Sequence, residues 1–226
     1  MQQSPLLGSR RRRDNPKDRE ARHIELNLAK WNGWARSIEK MKFRREYLRK
    51  AQNDVLSLLN LKKGVRFLDV GCGPGWALED AAKLAGGKGE FYGVDLSPLM
   101  VEKAQADYAG RPNFHFIVSN AESIPLESGS FDVIICTNSF HHYLNPGKAM
   151  AEFYRLLRPG GRLCILDPTS DRKIVRFADR IIRLIEPEHV KLYNTEEFRE
   201  FFESVGLRHS FAESSIKSHR IQIGDK

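Results

Sequence analysis

The chain has 226 residues, 41% of them hydrophobic and 29% charged, so it can bury a core, and its composition excludes a collagen and a wholly disordered protein. No apolar run approaches the roughly 20 residues of a membrane-spanning helix, and the polar, arginine-rich start of the chain predicts no secretory signal. The net charge of +8 is uneven, since residues 1–63 carry a net +10 and residues 64–226 a net −2. A nucleic-acid partner is therefore possible but not favoured, because the basic character stops before the main domain.

The composition changes along the chain and divides it into three segments. Residues 1–22 have few apolar residues and contain the run Arg10–Arg13, which predicts a disordered basic tail. Residues 23–63 predict two helices broken near Gly33, because their apolar residues recur at helical spacing. Residues 64–226 are expected to form the main domain. The arginine run is either a solvated tail or a contact for RNA, anionic lipid or an acidic partner.

After residue 64, short apolar strands alternate with helices. The strands are predicted over 65–70, 91–95, 114–118, 131–136 and 162–166, and the helices over 76–85, from Pro98 onward and over 146–157. The chain ends with predicted helices over 174–186 and from Asn194 to Gly206, and with strands over 207–213 and 219–223. This alternation implies right-handed crossovers, so we expect an α/β fold with a doubly wound, mostly parallel sheet.

The most informative segment is Asp69-Val70-Gly71-Cys72-Gly73-Pro74-Gly75, which follows a predicted strand and opens a predicted helix. Glycines let backbone amides approach a ligand closely, and ligands of open parallel sheets bind beyond the carboxyl ends of the strands. Asp95 ends the next strand, where a carboxylate suits the two hydroxyls of a ribose. Two cofactors fit this pattern: S-adenosylmethionine, and a dinucleotide, whose G-x-G-x-x-G fingerprint is broken here by Trp76.

Four motifs in order resemble the class I S-adenosylmethionine-dependent methyltransferases, in particular the small-molecule branch that includes the ubiquinone and menaquinone enzymes. The motifs are the glycine segment 69–75, then 93–97, then 120–126 leading into 130–134, and finally 157–161. The resemblance covers about residues 40–210. It implies a Rossmann-like, seven-stranded methyltransferase fold and transfer of a methyl group from S-adenosylmethionine by in-line displacement.

The resemblance implies where the methionine and ribose parts of the cofactor bind. The methionine part is expected to be bordered by Asp69, Gly71, Cys72 and Gly73, and the ribose to be bound by Asp95. Asp69 is alternatively a structural acid that orients the glycine loop. Cys72 is expected to be a small loop residue and not a nucleophile.

The adenine side of the cofactor is implied by the later motifs. Leu96 is expected to pack on the adenine ring, and Asn120 and Ala121 to meet its edge. The family usually has Asp where this chain has Asn120, so a contact there loses its charge assistance. Asn138, just after the fourth strand, is expected to line the cofactor and methyl-donor region.

His141 and His142 follow the fourth predicted strand, near the position expected for the methyl group. Either one is a candidate catalytic base for an acceptor that arrives protonated, and the alternative is a structural or cofactor-lining histidine. We expect no metal site, because adjacent histidines point in different directions and no cluster of further ligand residues accompanies them.

The N-terminal helices are predicted to form a lid. Trp31, Trp34 and Met41 offer apolar and aromatic surface that would cover an acceptor and exclude water. The alternative is ordinary packing of these side chains against the sheet. Tyr143 and the helix over 174–186 are further candidates for walls of the pocket.

The leading hypothesis is a methyltransferase that acts on oxygen, nitrogen or carbon of a small-molecule acceptor. The alternatives are an RNA or protein methyltransferase that docks through basic residues 10–63, a cofactor-binding protein without transfer activity, and a dinucleotide oxidoreductase, which the missing third glycine disfavours. The three scattered cysteines, Cys72, Cys136 and Cys164, predict reduced thiols and a cytoplasmic location. The identity of the acceptor and the oligomeric state stay open.

Overall fold

Seven strands form a single sheet in the computed structural model, which describes residues 15–40 and 42–226. The strands are β1 (Val65–Val70), β2 (Gly89–Asp95), β3 (Phe114–Val118), β4 (Phe131–Thr137), β5 (Leu157–Pro168), β6 (Arg208–Glu213) and β7 (His219–Asp225). Their order across the sheet is β3-β2-β1-β4-β5-β7-β6. Neighbours among β1 to β5 pair in parallel, and β7 is antiparallel to β5 and β6. The doubly wound, mostly parallel sheet predicted from the sequence is confirmed.

The helices alternate with the strands as predicted. They are α1 (Pro16–Ala35), α2 (Lys42–Ser57), α3 (Trp76–Leu84), α4 (Pro98–Asp107), α5 (Pro146–Leu156), α6 (Lys173–Ile185) and α7 (Thr195–Ser204). Local capping explains why several boundaries were readable: Ser97 accepts a hydrogen bond from the backbone N–H of Met100, and Asn194 forms a capping box with Glu197. Of the helices in the described ranges, none combines the length and the apolar character needed to cross a lipid bilayer.

The N-terminal segment differs from its prediction. Residues 16–22 are helical, which corrects the disordered tail predicted there; Asn15 caps the helix by accepting a hydrogen bond from the N–H of Lys17. Pro16 suits this start, because the first turn of a helix leaves its N–H groups unpaired. The helix continues through Gly33 to Ala35, so the break follows Gly33 by a few residues. The rest of the predicted tail, residues 1–14, lies outside the described residues.

Two hydrophobic clusters cover the two faces of the sheet. Phe67 of β1 belongs to a cluster with residues of α2 and α3, whereas its neighbour Leu68 belongs to one with residues of α5 and α7. Both side chains are fully buried. Alternate residues of a strand face opposite sides, so a strand covered on both sides reads as a continuous apolar run. This packing holds the carboxyl ends of the central strands in place.

An acid, Asp69, is fully buried within β1. Neither of its carboxylate oxygens has a hydrogen-bond partner among the described residues. Burial, together with the nearby charge of Asp95, raises the pKa of Asp69 to about 8. The same carboxyl in an unfolded chain has a pKa of about 3.9. The native protein therefore favours the protonated acid, and ionisation of Asp69 destabilises it.

We expect Asp69→Asn to raise the melting temperature of the ligand-free protein at alkaline pH, by about 4 °C or more. The difference from wild type should be small below about pH 3, where Asp69 is protonated in both the folded and the unfolded wild type, and should grow until the pH reaches the folded pKa of about 8. Calorimetry across this range measures the effect, with exposed Glu200→Gln as the control substitution. A difference in melting temperature between Asp69→Asn and wild type that is the same at every pH would contradict the raised pKa of Asp69.

Candidate active site

The candidate site lies where the sheet reverses its direction of winding. In the strand order, β1 and β4 are neighbours whose connections lead to opposite edges of the sheet, and ligands of such sheets bind in the crevice beyond this point. The turn from Gly71 to Gly75 follows β1, and the segment from Asn138 to Tyr143 follows β4. Both segments line one cavity of about 320 Å³. This volume is in the range of small-molecule pockets.

The two segments touch at Gly71. This residue has a φ of +80°, and a side-chain carbon placed on it would lie only 2.3 Å from the Oγ atom of Ser139. The backbone N–H groups of Gly71 and Cys72 both donate to the carbonyl oxygen of Val94, at 2.8 and 3.0 Å. A glycine is therefore required at this position by conformation and by space. The turn joins the ends of β1, β2 and β4 into one wall.

Asp95 anchors this turn from the end of β2. Its Oδ2 atom accepts a hydrogen bond from the N–H of Gly73 at 2.8 Å, and its Oδ1 atom accepts one from the N–H of Ser97 at 2.9 Å. Burial raises the pKa of Asp95, and the backbone hydrogen bonds oppose the rise. Each carboxylate oxygen keeps a second lone pair, and Asp95 lines the cavity. It can thus accept hydrogen bonds from two neighbouring hydroxyls of a ligand.

The residues implied for the adenine side also line the cavity. They are Leu96, Asn120 and Ala121. The side-chain oxygen of Asn120 accepts a hydrogen bond from the N–H of Glu122 at 3.0 Å, so one of its lone pairs is used within its own loop. Glu122 is itself a lining residue that sequence reasoning missed; it accepts hydrogen bonds from the backbone and side chain of Asn145.

Cys72 and Asp69 stand at different depths in this wall. Cys72 lines the cavity, and burial raises the pKa of its thiol well above the ordinary value, which disfavours a reactive thiolate. Asp69 lies in β1 behind the turn and is not among the lining residues. Its unpaired carboxyl also makes no hydrogen bond to the glycine turn that it was expected to border or orient.

Asn138 lies at the end of β4 in an unusual conformation. Its φ is +52°, a positive value that no other non-glycine residue in the described ranges has. Its Oδ1 atom lies 2.9 Å from Nε2 of His219, which is also 3.0 Å from the hydroxyl of Tyr47. Its Nδ2 atom is buried without a partner among the described residues. A buried amide donor beside the cavity is a group that a polar ligand can satisfy.

His141 and His142 also line the cavity, and the part of the cavity around them is called the imidazole end below. Nδ1 of His141 lies 3.0 Å from Oδ1 of Asp167, and the N–H of His141 donates to Oδ2 of the same carboxylate at 2.8 Å. Nδ1 of His142 lies 3.2 Å from the carbonyl oxygen of Glu188. Burial, and then the neighbouring His141, lower the pKa of His142 well below its usual value, so its ring is neutral.

A third histidine lies beside this pair, and its position there was not predicted from the sequence. His189 lies on the segment between α6 and α7, and its Nε2 atom is 2.7 Å from Oδ1 of Asp179. Nitrogen atoms of His141, His142 and His189 all lie within 4.8 Å of one another. The expectation that the adjacent histidines would diverge without a further ligand residue is therefore wrong. The three imidazoles could hold a transition-metal ion or accept a proton.

Helix α1 covers this imidazole end. Nε2 of His23 lies 2.7 Å from the carbonyl oxygen of His142, and the ring of Trp31 packs edge-on against the His142 ring at 5.1 Å. The indole N–H of Trp31 donates to the side chain of Asn27. Trp34 also lines the cavity, and Met41 lies outside the described residues. His23, Asn27 and Trp31 recur every four residues along one face of α1, a spacing that sequence reasoning did not use.

An ion pair attaches α1 to the segment that follows α6. The ammonium group of Lys30 contacts Glu186 at 2.6 Å and also pairs with Glu188. At the other side of the helix, the hydroxyl of Ser97 donates to the side chain of Asn32 at 2.6 Å. Helix α1 therefore contacts both the start of α4 and the segment after α6, and several of its residues line the cavity.

Comparison with known proteins finds methyltransferases similar to this chain. The methyltransferase domain family Methyltransf_11 matches residues 68–165. The ubiquinone/menaquinone biosynthesis C-methyltransferase UbiE of Campylobacter jejuni is 33% identical over 129 residues, which cover 55% of this chain and 53% of UbiE. The arsenite methyltransferase of Aquipseudomonas alcaligenes is 33% identical over 175 residues, which cover 73% of this chain and 49% of that enzyme. The chain thus spans about half the length of these two curated relatives.

A solved structure agrees with the sequence relatives. The S-adenosylmethionine-dependent methyltransferase of Aquifex aeolicus superimposes with a TM-score of 0.61 at 26% identity, over 77% of this chain and 88% of that one. The sheet of the present chain, its glycine turn and the matched methyltransferase domain agree with the resemblance seen in the motifs. Together, the matched domain, the relatives and this solved structure support a class I S-adenosylmethionine-dependent methyltransferase, and enzymes that act on small molecules are among the relatives.

Proposed function

We propose that this protein transfers a methyl group from S-adenosylmethionine to a small-molecule acceptor. The proposal rests on one observation, that Asp95 and His141 line the same cavity. When bound, S-adenosylmethionine supplies a methyl group on a positively charged sulfur, from which an acceptor nucleophile displaces it in line. Two relatives support a small acceptor, since their names specify quinone biosynthesis and arsenite.

The glycine-turn end of the cavity would bind the cofactor. Asp95 would accept hydrogen bonds from the ribose hydroxyls through the lone pairs that Gly73 and Ser97 leave free. The unpaired amide donor of Asn138 fits a cofactor group beside the transferred methyl. Because this amide lies at the end of β4, it would set the direction in which the methyl group faces the imidazole end.

The main contributions of the protein to the reaction would be alignment and exclusion of water. Holding two reactants in line can lower the barrier by about 7–11 kcal/mol. The two tryptophans that line the cavity, Trp31 and Trp34, lie on α1 and would cover an acceptor with apolar surface. The ion pair of Lys30 with Glu186 would hold this cover closed, and its opening would admit the acceptor.

His141 would take the acceptor proton. Both of the adjacent histidines were predicted as candidates, and the surroundings of His141 suit the role better. The buried carboxylate of Asp167 accepts from its Nδ1–H, which leaves Nε2 as the acceptor and stabilises the ring when it becomes charged. His142 lacks such a carboxylate at Nδ1, where it contacts the carbonyl oxygen of Glu188.

The protein is expected to act in the cytoplasm. Its three cysteines are free and buried, as reduced thiols of a cytoplasmic protein would be. The three buried thiols take no part in the proposed reaction.

We expect Asp95→Ala to weaken binding of S-adenosylhomocysteine by about 10²-fold, since it removes two charge-assisted hydrogen bonds. Isothermal titration calorimetry measures the loss, and Asp95→Asn, which keeps one acceptor oxygen, should fall in between. Thermal shift provides the matching control, because S-adenosylhomocysteine should stabilise the wild-type protein and NAD should not. Unchanged affinity in Asp95→Ala, or stabilisation by NAD alone, would contradict the cofactor assignment.

We expect His141→Ala to lower kcat by about 10²- to 10⁴-fold without changing the affinity for S-adenosylhomocysteine, because a general base acts after the cofactor has bound. His142→Ala is the matched comparison and should reduce kcat much less. Rates measured with and without a chelator should agree if His141 works as a base. Loss of activity with the chelator and its return with Zn²⁺ would instead assign the three imidazoles to a metal ion, and wild-type kcat in His141→Ala would exclude both roles.

The acceptor class can be tested with the full chain. We expect a metabolite extract and isotopically labelled S-adenosylmethionine to yield a labelled small molecule, and mass spectrometry identifies it. Replacing Arg10–Arg13 with glutamine should leave this turnover unchanged, since these residues precede the described domain. The substitution is preferable to removal of residues 1–22, because residues 16–22 belong to α1. Label found in RNA or protein, and lost in the glutamine variant, would favour the macromolecular alternative.

A further inference from the structure

Helix α6 carries apolar side chains that the described part of the protein does not cover. Five large ones are exposed, among them Leu184 at 84% and Phe177 at 64%, and the others are Ile174, Ile181 and Ile185. The single buried residue of the helix is an acid, Asp179. A helix of a globular domain normally turns its apolar stripe toward the core. In α6 the stripe points away from it.

The orientation of α6 is fixed by polar contacts. The carboxylate of Asp179 lies 2.7 Å from Nε2 of His189 and accepts a hydrogen bond from the N–H of Leu192 at 2.9 Å. Rotating the helix to bury the apolar stripe would break both contacts and leave a buried carboxylate unpaired. The exposure of the stripe is therefore a consequence of how the helix is attached.

Two parallel stripes run along the exposed surface of the helix. The apolar residues stand at positions 174, 177, 181 and 184, and basic residues stand one position earlier at 173, 176, 180 and 183. Both series follow helical spacing, so each forms a continuous line. Arg172 precedes the helix and adds a fifth basic residue. The acid of the helix, Asp179, is buried and pairs with Arg183 at 3.2 Å, which leaves four basic residues without a partner acid on the helix.

We propose that α6 binds the surface of an anionic lipid bilayer. An interfacial helix of this type places its apolar side chains at the boundary of the acyl chains and its arginines among the phosphate groups. Anionic head groups complement the excess of positive charge, and the acyl boundary accepts the apolar stripe. An anionic bilayer is therefore one partner that complements both stripes. This proposal is independent of methyl transfer.

Docking through α6 would orient the cavity. The helix begins five residues after Pro168 and ends immediately before Glu186, and both of these residues line the cavity. A bilayer bound to α6 would therefore lie beside the imidazole end, with the glycine turn farther away along the sheet. The rim of the cavity and the lipid surface would be neighbours.

Sedimentation of the full chain with sucrose-loaded vesicles tests the proposal. Wild type should bind vesicles of phosphatidylcholine with phosphatidylglycerol, bind pure phosphatidylcholine less, and lose affinity as salt increases. The double substitution Phe177→Glu and Leu184→Glu should lower the affinity at least about tenfold, since it puts charge into the apolar stripe. Leu84→Glu is the matched control, because Leu84 is also an exposed apolar residue but lies at the end of α3. This substitution is expected to leave binding unchanged.

Three further measurements keep the outcome clear. Stabilisation by S-adenosylhomocysteine should be equal in wild type and in the α6 variant, which shows that the variant is folded. When Arg10–Arg13 are replaced with glutamine, the double substitution Phe177→Glu and Leu184→Glu should still lower the affinity for vesicles. Light scattering after size exclusion should give the same mass for wild type and the α6 variant. Absence of vesicle binding, full binding by the α6 variant, or a wild-type dimer that the α6 substitution dissociates would each overturn the proposal.

Discussion

The close approach of two loops at Gly71 is the constraint on which the site depends. The turn after β1 and the segment after β4 meet there, and a side-chain carbon on Gly71 would overlap the hydroxyl of Ser139. Because β1 and β4 are paired strands of a tightly packed sheet, neither loop can retreat without disturbing the core. This contact sets the distance between the glycine turn and the imidazole end. The proposed transfer of a methyl group across the cavity requires that distance to be short and constant.

Four carboxylates organise the surroundings of this contact, and their partners decide what each one does. Asp95 holds backbone N–H groups of the turn, whereas Asp167 and Asp179 each hold the ring of a histidine. Asp69 has no partner among the described residues, and burial, together with the nearby charge of Asp95, raises its pKa. A buried charge is costly unless it is paired and hydrogen-bonded. The paired acids are thus positioning groups, and the unpaired one lowers stability at high pH.

The sequence predicted the sheet and most of its helices because their signals are local. Ser97 and Asn194 cap helices through hydrogen bonds to residues three positions away, and the apolar runs of the central strands report burial on both faces. The start of α1 was missed because residues 16–22 are polar, and a polar helix shows no apolar period. The third histidine was missed for another reason. His189 stands 47 positions after His142, and no local pattern links them.

The order of the motifs by itself determined the fold class and pointed to the methyltransferase family, since glycine turns, capped helices and apolar strands are specified by neighbouring residues. It also singled out Asp95 and the pair of histidines. Tertiary structure alone decided that Asp69 lies behind the wall, that Asn120 uses an oxygen within its own loop, and that three imidazoles meet under α1. It also decided that the apolar stripe of α6 faces outward. Such placements depend on contacts between distant segments, and sequence periodicity carries no information about distance between segments.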